Sequence, residues 1–406
     1  MVEASQFSEV VRAEGHLIDS QLLNTIFDTV VKRDASFDVL KFTIGRTNED
    51  ASKIAMRVTA KNEGALQALL EELNALGCRL AQDGNVVVRT AEQDRAVPDD
   101  FYSTTNHRTR VRHNGRWLDV EKQRMDAVIV IDGGKATCRK LRDVRAGDQI
   151  VCGLEGVRVI PEFRDRESDG FAFMTNEVSS ERRVAGAVAR IAAEVRDIKA
   201  AGGRLAIVAG PVAISTGGGE HLAALVRHGI VDVIVGGNAL AVYDVEQALF
   251  GTILGVNVKT GEPDPVGRRR HLEARNAVCK AGGLRGAVES GVLQSGVMFE
   301  CVKRNATVVL SGSIRDDGLL PDAVPDLIEA QDRYTAALAG VQMVIVLATM
   351  LHGIGVGNML PSAVRMVCVD INPAVVTKLA DRGSAQTVGV VTDVGPFLRQ
   401  LANALS

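Results

Sequence analysis

The chain lacks an excess of charge of either sign. Its 47 Lys and Arg nearly balance 50 Asp and Glu, leaving a net charge of −3 over 406 residues. Nothing in that balance suggests a nucleic-acid or membrane surface. There is no C-x-x-C spacing: Cys78, Cys138, Cys152, Cys279, Cys301 and Cys368 are scattered, mostly beside apolar residues, as reduced core thiols are. The start, Met1-Val-Glu-Ala-Ser, has neither a basic nor an apolar leader region, so a cytoplasmic protein is expected. The most apolar run, near 341–351, contains Gln342 and ends at His352 and Gly353. It is too short to span a bilayer and reads as a buried parallel strand. Aromatics are few, with a single Trp against 40 glycines. That balance points to an α/β enzyme with many tight turns, and the length predicts two or three domains.

The densest signal lies between Gln342 and Asp370. The apolar run Val341 to Thr349 leads into Gly353-Ile-Gly355-Val-Gly357-Asn358, and a second apolar run, Val364 to Val369, ends on Asp370. Strand, glycine loop, crossover, strand and terminal carboxylate is the layout of a dinucleotide site. Glycines let backbone N–H groups approach a pyrophosphate, and the carboxylate can hold two ribose hydroxyls. Asp at that place favours NAD over NADP. The loop reads G-x-G-x-G, and the acid follows sooner than the usual ~20 residues. The same pattern also suits a glycine-rich turn in an α/β core with Asp370 as a helix cap.

Three regions separate. Residues 1–115 predict an α+β module. Phe37–Ile44 and Lys53–Ala60 alternate as half-buried strands, Glu63–Leu76 carries Leu66, Leu69, Leu70, Leu73 and Leu76 on one helical face, and Gly77 closes that helix. Residues 116–175 predict a small β domain with strands at Met125–Ile131 and Gln149–Cys152 and glycine turns between. Residues 176–406 alternate helix and strand: Arg204–Ala209, Val231–Val235, Thr307–Ser311 and Thr387–Val391 are the strands. That alternation predicts a doubly wound, mostly parallel, Rossmann-like sheet, whose ligands sit beyond the carboxyl ends of the strands.

Glycine and polar turns cluster at those ends. Gly217, Gly218 and Gly219 precede a helix N-terminus and suit an anion; Glu220 beside them reads as a simple cap. Gly237, Asn238 and Ala239 repeat the arrangement one strand later. Ser311 with Gly312, and Asp393 with Val394, close two further strands. With Thr349, Met350, Leu351, His352, Gly353 and Asp370, these are the expected cofactor contacts. Two segments lie outside this domain. Asp100-Phe-Tyr-Ser-Thr-Thr-Asn-His107 combines aromatics, hydroxyls, an amide and an imidazole, and reads either as a site or as a solvated linker. Gly45-Arg-Thr-Asn-Glu-Asp50 is either a hairpin turn or a carboxylate-recognising loop acting through Arg46.

Taken together, Phe42–Ser52, Asp100–His107, Phe171–Met174 with Ser179–Arg182, Thr216–His221, Gly237–Asp244 and Lys303–Asp317 resemble the family described as the LOR/SDH bifunctional enzyme conserved region. That family includes the archaeal-type ornithine cyclodeaminases and the C-terminal half of cyanobacterial arginine dihydrolases. One departure is Arg108, where the family pattern has Pro. The resemblance implies a dinucleotide domain similar to that of deoxyhypusine synthase. It implies conversion of L-ornithine to L-proline and ammonia with recycled NAD. An amine leaves a saturated carbon poorly. Hydride removal from Cα makes an electrophilic iminium, the δ-amine attacks, ammonia leaves, and the cyclic imine takes hydride back. Such a site needs a carboxylate clamp (Arg46 or Lys122), proton transfer and orientation (His107 and Asn106), and a carboxylate for the distal ammonium (Asp50 or Asp317). The dihydrolase's guanidine-hydrolysing domain has no counterpart in these residues, so action on arginine itself is not expected. A homo-oligomer with no nucleic-acid or membrane partner is expected. The alternatives are an NAD-dependent lysine- or saccharopine-type dehydrogenase with net redox, and an amino-acid sensor that holds NAD structurally.

Overall fold

The computed structural model describes residues 7–15, 17, 22–45, 50–80, 84–161, 180–314, 316, 318–382 and 387–405. The chain parts into two compact units. One comprises Met1–Asp169 with the short return segment Asn358–Ala363, the other Gly170–Gly357 with Val364–Ser406.

The first unit opens with β1 (Phe7–Gly15), α1 (Leu22–Lys32), β2 (Ser36–Thr43), β3 (Ser52–Ala60), α2 (Glu63–Ala75) and β4 (Arg79–Leu80). The strands form an antiparallel sheet in the order β2-β3-β1-β4. Ile54, Met56 and Val58 alternate onto its core face, where they meet Leu69 and Leu73 of α2 and Ile26 of α1. The Asn62 side chain accepts the Ala65 N–H at 2.8 Å and starts α2. Gly77, at φ 87°, ends it, with the Cys78 N–H donating to the Leu73 carbonyl at 2.9 Å. Full burial of each such leucine stabilises by about 1.5–3 kcal/mol.

A second sheet follows, built from β5 (Val87–Thr90), β6 (Arg108–His113), β7 (Arg116–Glu121), β8 (Val128–Asp132), β9 (Lys135–Arg139), β10 (Gln149–Cys152) and β11 (Val157–Ile160). Its order is β11-β6-β7-β9-β8-β10-β5. It curls on itself, so that the Val86 N–H reaches the Arg112 carbonyl at 2.7 Å. Both faces of β8 are covered, with Val128 and Val130 in one cluster and Ile129 and Ile131 in another. This sheet takes β5 and β6 from ahead of residue 115. The strand near Val87 belongs to it because its pairing partner, β10, lies far along the chain. Sequence periodicity carries no record of such a partner.

The second unit runs α3 (Ser180–Ala200), β12 (Leu205–Ala209), α4 (Gly219–Arg227), β13 (Val233–Gly237) and α5 (Asn238–Phe250), then a hairpin of β14 (Thr252–Ile253) and β15 (Val256–Asn257). It continues through α6 (Arg269–Lys280), α7 (Leu284–Glu289), α8 (Val297–Arg304), β16 (Thr307–Ser311), β17 (Ala323–Val324), α9 (Leu327–Ala337) and β18 (Met343–Leu347). It ends with α10 (Met350–Met359), β19 (Arg365–Asp370), α11 (Pro373–Arg382), β20 (Thr387–Val391) and α12 (Val394–Leu405). The central sheet is parallel throughout, in the order β17-β16-β13-β12-β18-β19-β20. Leu205, Ile207, Met343, Ile345 and Leu347 point to the core shared with α3 to α8 and α12. On the opposite face α10 lies on Val346 and α9 on β16. The chain therefore winds outward from β12 in one direction and from β18 in the other. The crevice between their carboxyl ends is the switch point where such folds bind ligands.

Candidate active site

At the switch point the backbone is crowded. The Gly210 N–H donates to the Leu347 carbonyl at 2.9 Å. A Cβ on Gly210 would run into the Ala348 carbonyl. Ala348 itself sits at φ 47°, a left-handed conformation that alanine rarely adopts. Non-glycine residues held in this region concentrate at ligand sites. The turn after β12, Ile214–Gly218, carries Gly217 at φ 78° and opens onto the N-terminus of α4. A Cβ on Gly218 would lie 2.5 Å from the Ala213 carbonyl. The turn is thus glycine by necessity. It presents Gly219 at the helix end, where the dipole favours an anion.

One strand over, Gly237 ends β13 and Asn238 starts α5. The Asn238 side chain is engaged: its Oδ1 accepts the Leu320 N–H at 2.9 Å and its Nδ2 reaches Asp316 Oδ1 at 3.4 Å. It braces the loop after β16 and sets the helix end in place. Ala239 follows on the first turn of α5. Gly312, just beyond β16, donates its N–H to the Val324 carbonyl at 2.8 Å.

A polar cluster forms beside Gly237. The Tyr334 hydroxyl donates to the Gly236 carbonyl at 2.6 Å and lies 3.3 Å from Ser311 Oγ. Ser311 Oγ lies 3.5 Å from His352 Nε2, and the His352 and Tyr334 rings meet edge to face. A Cβ on Gly237 would stand 3.3 Å from His352 Cε1. Burial pushes the Tyr334 phenol up to about 12 and holds the His352 imidazole below its ordinary value, hence neutral. His352 Nδ1 is buried and has no partner among the described residues. Tyr334 carries no motif in the sequence. Its only signal is that it is one of three tyrosines, set in a polar helix.

The glycine-rich segment after β18 differs from the expected loop. Gly353, Gly355 and Gly357 lie inside α10, and the turn is made earlier, by Ala348 and Thr349. Met350 and Leu351, at 36% and 76% exposure, open the helix. A Cβ on Gly353 would lie 2.9 Å from Val346 Cγ1 and 3.2 Å from Leu379. Gly353 therefore lets α10 pack closely on the sheet, as the third glycine of a dinucleotide fingerprint does. Asp370 ends β19, and its Oδ1 accepts the Asn372 N–H at 2.8 Å, which fixes the carboxylate. Asp393 accepts the Gly395 N–H at 3.0 Å, ahead of the buried Val394.

In the first unit the Asp100–His107 segment is no solvated linker. Tyr102, Thr104 and Asn106 are 5%, 3% and 4% exposed. Thr104 Oγ1 donates to the Arg124 carbonyl at 2.7 Å and accepts the Ala127 N–H at 3.0 Å. Asn106 holds the return segment: its Nδ2 donates to the Leu360 carbonyl at 3.3 Å, and its own carbonyl accepts the Ser362 N–H at 2.9 Å. Burial lowers the His107 pKa, and its Nδ1 is buried without a partner among the described residues. A cavity of about 610 Å³ borders the segment, with Glu71, Asp99, Asp100, Ser103 and Thr105 in its wall. Lys122 is exposed in the turn after β7, at φ 54°, and Asp50 is exposed just before β3. Arg46–Glu49, Phe171–Met174, Ser179, Arg315 and Asp317 lie outside the described residues.

A doubly wound parallel sheet with glycine turns at its switch point and a fixed carboxylate at the end of the next strand, β19, defines a Rossmann-type cofactor domain, in a chain that also carries an α+β unit. Family models match along the chain: the LOR/SDH bifunctional enzyme conserved region over residues 8–107, and the first region and Rossmann fold of the arginine dihydrolase ArgZ-like C-terminal part over 108–188 and 189–401. The chain belongs to this family. It is 47% identical over 388 residues to an ornithine cyclodeaminase of Archaeoglobus fulgidus, covering 96% of this chain and 95% of that protein. The bifunctional arginine dihydrolase/ornithine cyclodeaminase AgrE of Nostoc sp. is 47% identical over 407 residues. A structure of AgrE in ternary complex with ornithine and NAD+ superposes with a TM-score of 0.54 at 46% identity, covering 99% of this chain. Apo ArgZ, a cyanobacterial arginine dihydrolase, superposes at 0.87 with 44% identity and 99% coverage. The chain spans 58% of the length of AgrE and of the ArgZ chain.

Proposed function

We propose that this protein is an NAD-dependent ornithine cyclodeaminase, which converts L-ornithine to L-proline and ammonia. The observation that carries the reading is the near end-to-end match to an archaeal protein of that name, at 47% identity over 95% of its length.

The residues present fit NAD. The Gly217 turn leaves open space at its Cβ position, Gly237 brings the backbone close to His352, His352 Nδ1 is a buried atom with no partner among the described residues, and the Asp370 carboxylate is held by the Asn372 N–H. Asp370 would hold the adenosine ribose and the Gly217–Gly219 turn the pyrophosphate. When bound, NAD supplies reversible hydride acceptance, which lets an amine be exchanged at Cα without net redox change. Gly237, Ser311 and His352 shape the wall beside it and exclude water.

The substrate-binding and proton-transfer roles are assigned to residues of the sequence motifs named above. His107, kept neutral by burial, takes a proton from a substrate ammonium at Nδ1 and returns it to the departing ammonia. Asn106 fixes the backbone that carries it. Arg46 clamps the α-carboxylate, with Lys122 as the alternative, and Asp50 or Asp317 receives the distal ammonium. The same reading places the enzyme in the cytoplasm as a homo-oligomer on a route to proline. No described helix is long and apolar enough to cross a membrane. Purified protein given ornithine and substoichiometric NAD should form many equivalents of proline and ammonia per NAD. Formation of NADH equal to ornithine consumed would reject the assignment.

A further inference from the structure

The N-terminal sheet ends on β2, whose outer edge has no strand partner among the described residues. Proteins blunt such edges with charge, proline or brevity, because unpaired N–H and C=O groups recruit another chain. The opposite edge of this sheet, β4, is two residues long. In contrast β2 is eight residues long and exposes Val39, Leu40 and Phe42 at 47%, 48% and 37%, with Ile44 beyond it at 57%.

The strand is also self-complementary, and a β-bulge makes it so. Its pairing with β3 runs Ser36↔Thr59, Phe37↔Val58, Asp38↔Arg57 and Val39↔Met56, then resumes at Lys41↔Ala55, Phe42↔Ile54 and Thr43↔Lys53. Leu40 is the extra residue. Ile54, Met56 and Val58 are buried in the core, while Lys53 and Arg57 are exposed. Phe37, Val39 and Phe42 therefore share the core face, and Ser36, Asp38, Lys41 and Thr43 the open face. An antiparallel copy related by a two-fold axis between Val39 and Leu40 sets Ser36 opposite Thr43, Phe37 opposite Phe42, Asp38 opposite Lys41 and Val39 opposite Leu40. The serine–threonine, aromatic and ion pairs each match face to face. Strict alternation without the bulge would put Phe37 and Phe42 on opposite faces. A register shift of one residue in either direction sets Phe37 against Lys41 or Thr43, across faces.

We propose that β2 is a homodimer interface, at which two copies of this chain pair these strands antiparallel about that axis and join their N-terminal sheets into one. Opposite charges, aromatic pairs and small hydroxyls directly across strands each stabilise such pairing. Val31, 63% exposed on the helix that leads into β2, adds apolar surface beside it.

The test uses the full chain. Lys41→Asp sets two like-charge pairs across the axis and should raise the dimer dissociation constant about tenfold or more, read by analytical ultracentrifugation. Asp38→Lys combined with Lys41→Asp should restore it. Where another interface holds the mass constant, a cross-link decides. Asp38→Cys with Lys41→Cys places thiols opposite one another within the reach of a disulfide, because paired strands hold Cα atoms about 4.5–5.5 Å apart. Mild oxidation should give a covalent dimer on a non-reducing gel, absent from the wild-type chain. A double-cysteine variant that stays uncross-linked overturns the proposal.

Discussion

Replacing Asp370 by alanine tests the cofactor assignment at its sharpest point. The residue ends β19, beside the crevice, and its carboxylate is oriented by the Asn372 N–H at 2.8 Å. If it accepts the ribose hydroxyls, the variant loses hydrogen bonds to a charged acceptor, about 1.5–3 kcal/mol in net terms. At 1.4 kcal/mol per tenfold, that weakens NAD binding about 10- to 150-fold. The lost turn bond to Asn372 costs about 0.5–1.5 kcal/mol of stability, so the domain should remain folded. Titration of NADH fluorescence, with circular dichroism as the folding control, measures the change. Asp370→Ala should also relax discrimination against NADP, since the carboxylate repels a 2′-phosphate. A folded variant with unchanged NAD affinity would show that Asp370 only caps the following helix.

Gly237→Val brings branched carbon against His352, where even a Cβ would stand at 3.3 Å. It should weaken NAD binding at least ~10-fold with the protein still folded if this turn meets the cofactor as proposed; normal binding would make this turn purely structural. His107→Ala should leave NAD bound and lower turnover by about 10²–10⁴-fold, the usual contribution of a proton-transfer group. Arg46→Ala should raise KM more than it lowers kcat, because a carboxylate clamp acts equally in ground and transition states; the reverse pattern would move Arg46 into the chemistry. Burial holds His107 and His352 below their ordinary pKa, so the unfolded chain binds protons first as pH falls. Their contribution to stability is complete above about pH 6.5 and is lost as pH falls through the folded-state values. Melting temperature should drop from pH 7.5 toward pH 5, less steeply in His352→Gln; equal slopes would contradict the buried neutral state.

The parallel sheet was legible because its strands are continuous apolar runs between glycines. Thr307–Ser311 and Thr387–Val391 are read from the sequence residue for residue. The glycines at 353–357 misled for a physical reason. Glycine marks turns, yet here Gly353 lets α10 approach the sheet, and the turn falls on Ala348, whose left-handed backbone no composition rule predicts. One of the two inner strands of the first sheet, β1, escaped because its core contribution is slight, with Val11 and Ala13 buried among charged neighbours. Gly236, Ser311, Tyr334 and His352 meet only because the sheet order brings their segments together, so their cluster has no local signature.

Internal hydride recycling is the central claim, and one labelling experiment addresses it directly. L-Ornithine carrying deuterium at Cα is incubated with the protein and substoichiometric NAD, and the proline is analysed by mass spectrometry. The account predicts proline that retains deuterium at Cα, with no accumulation of NADH, because the hydride removed from that carbon returns to it. Unlabelled proline, or a keto-acid-derived product formed with one NADH per ornithine, would contradict it.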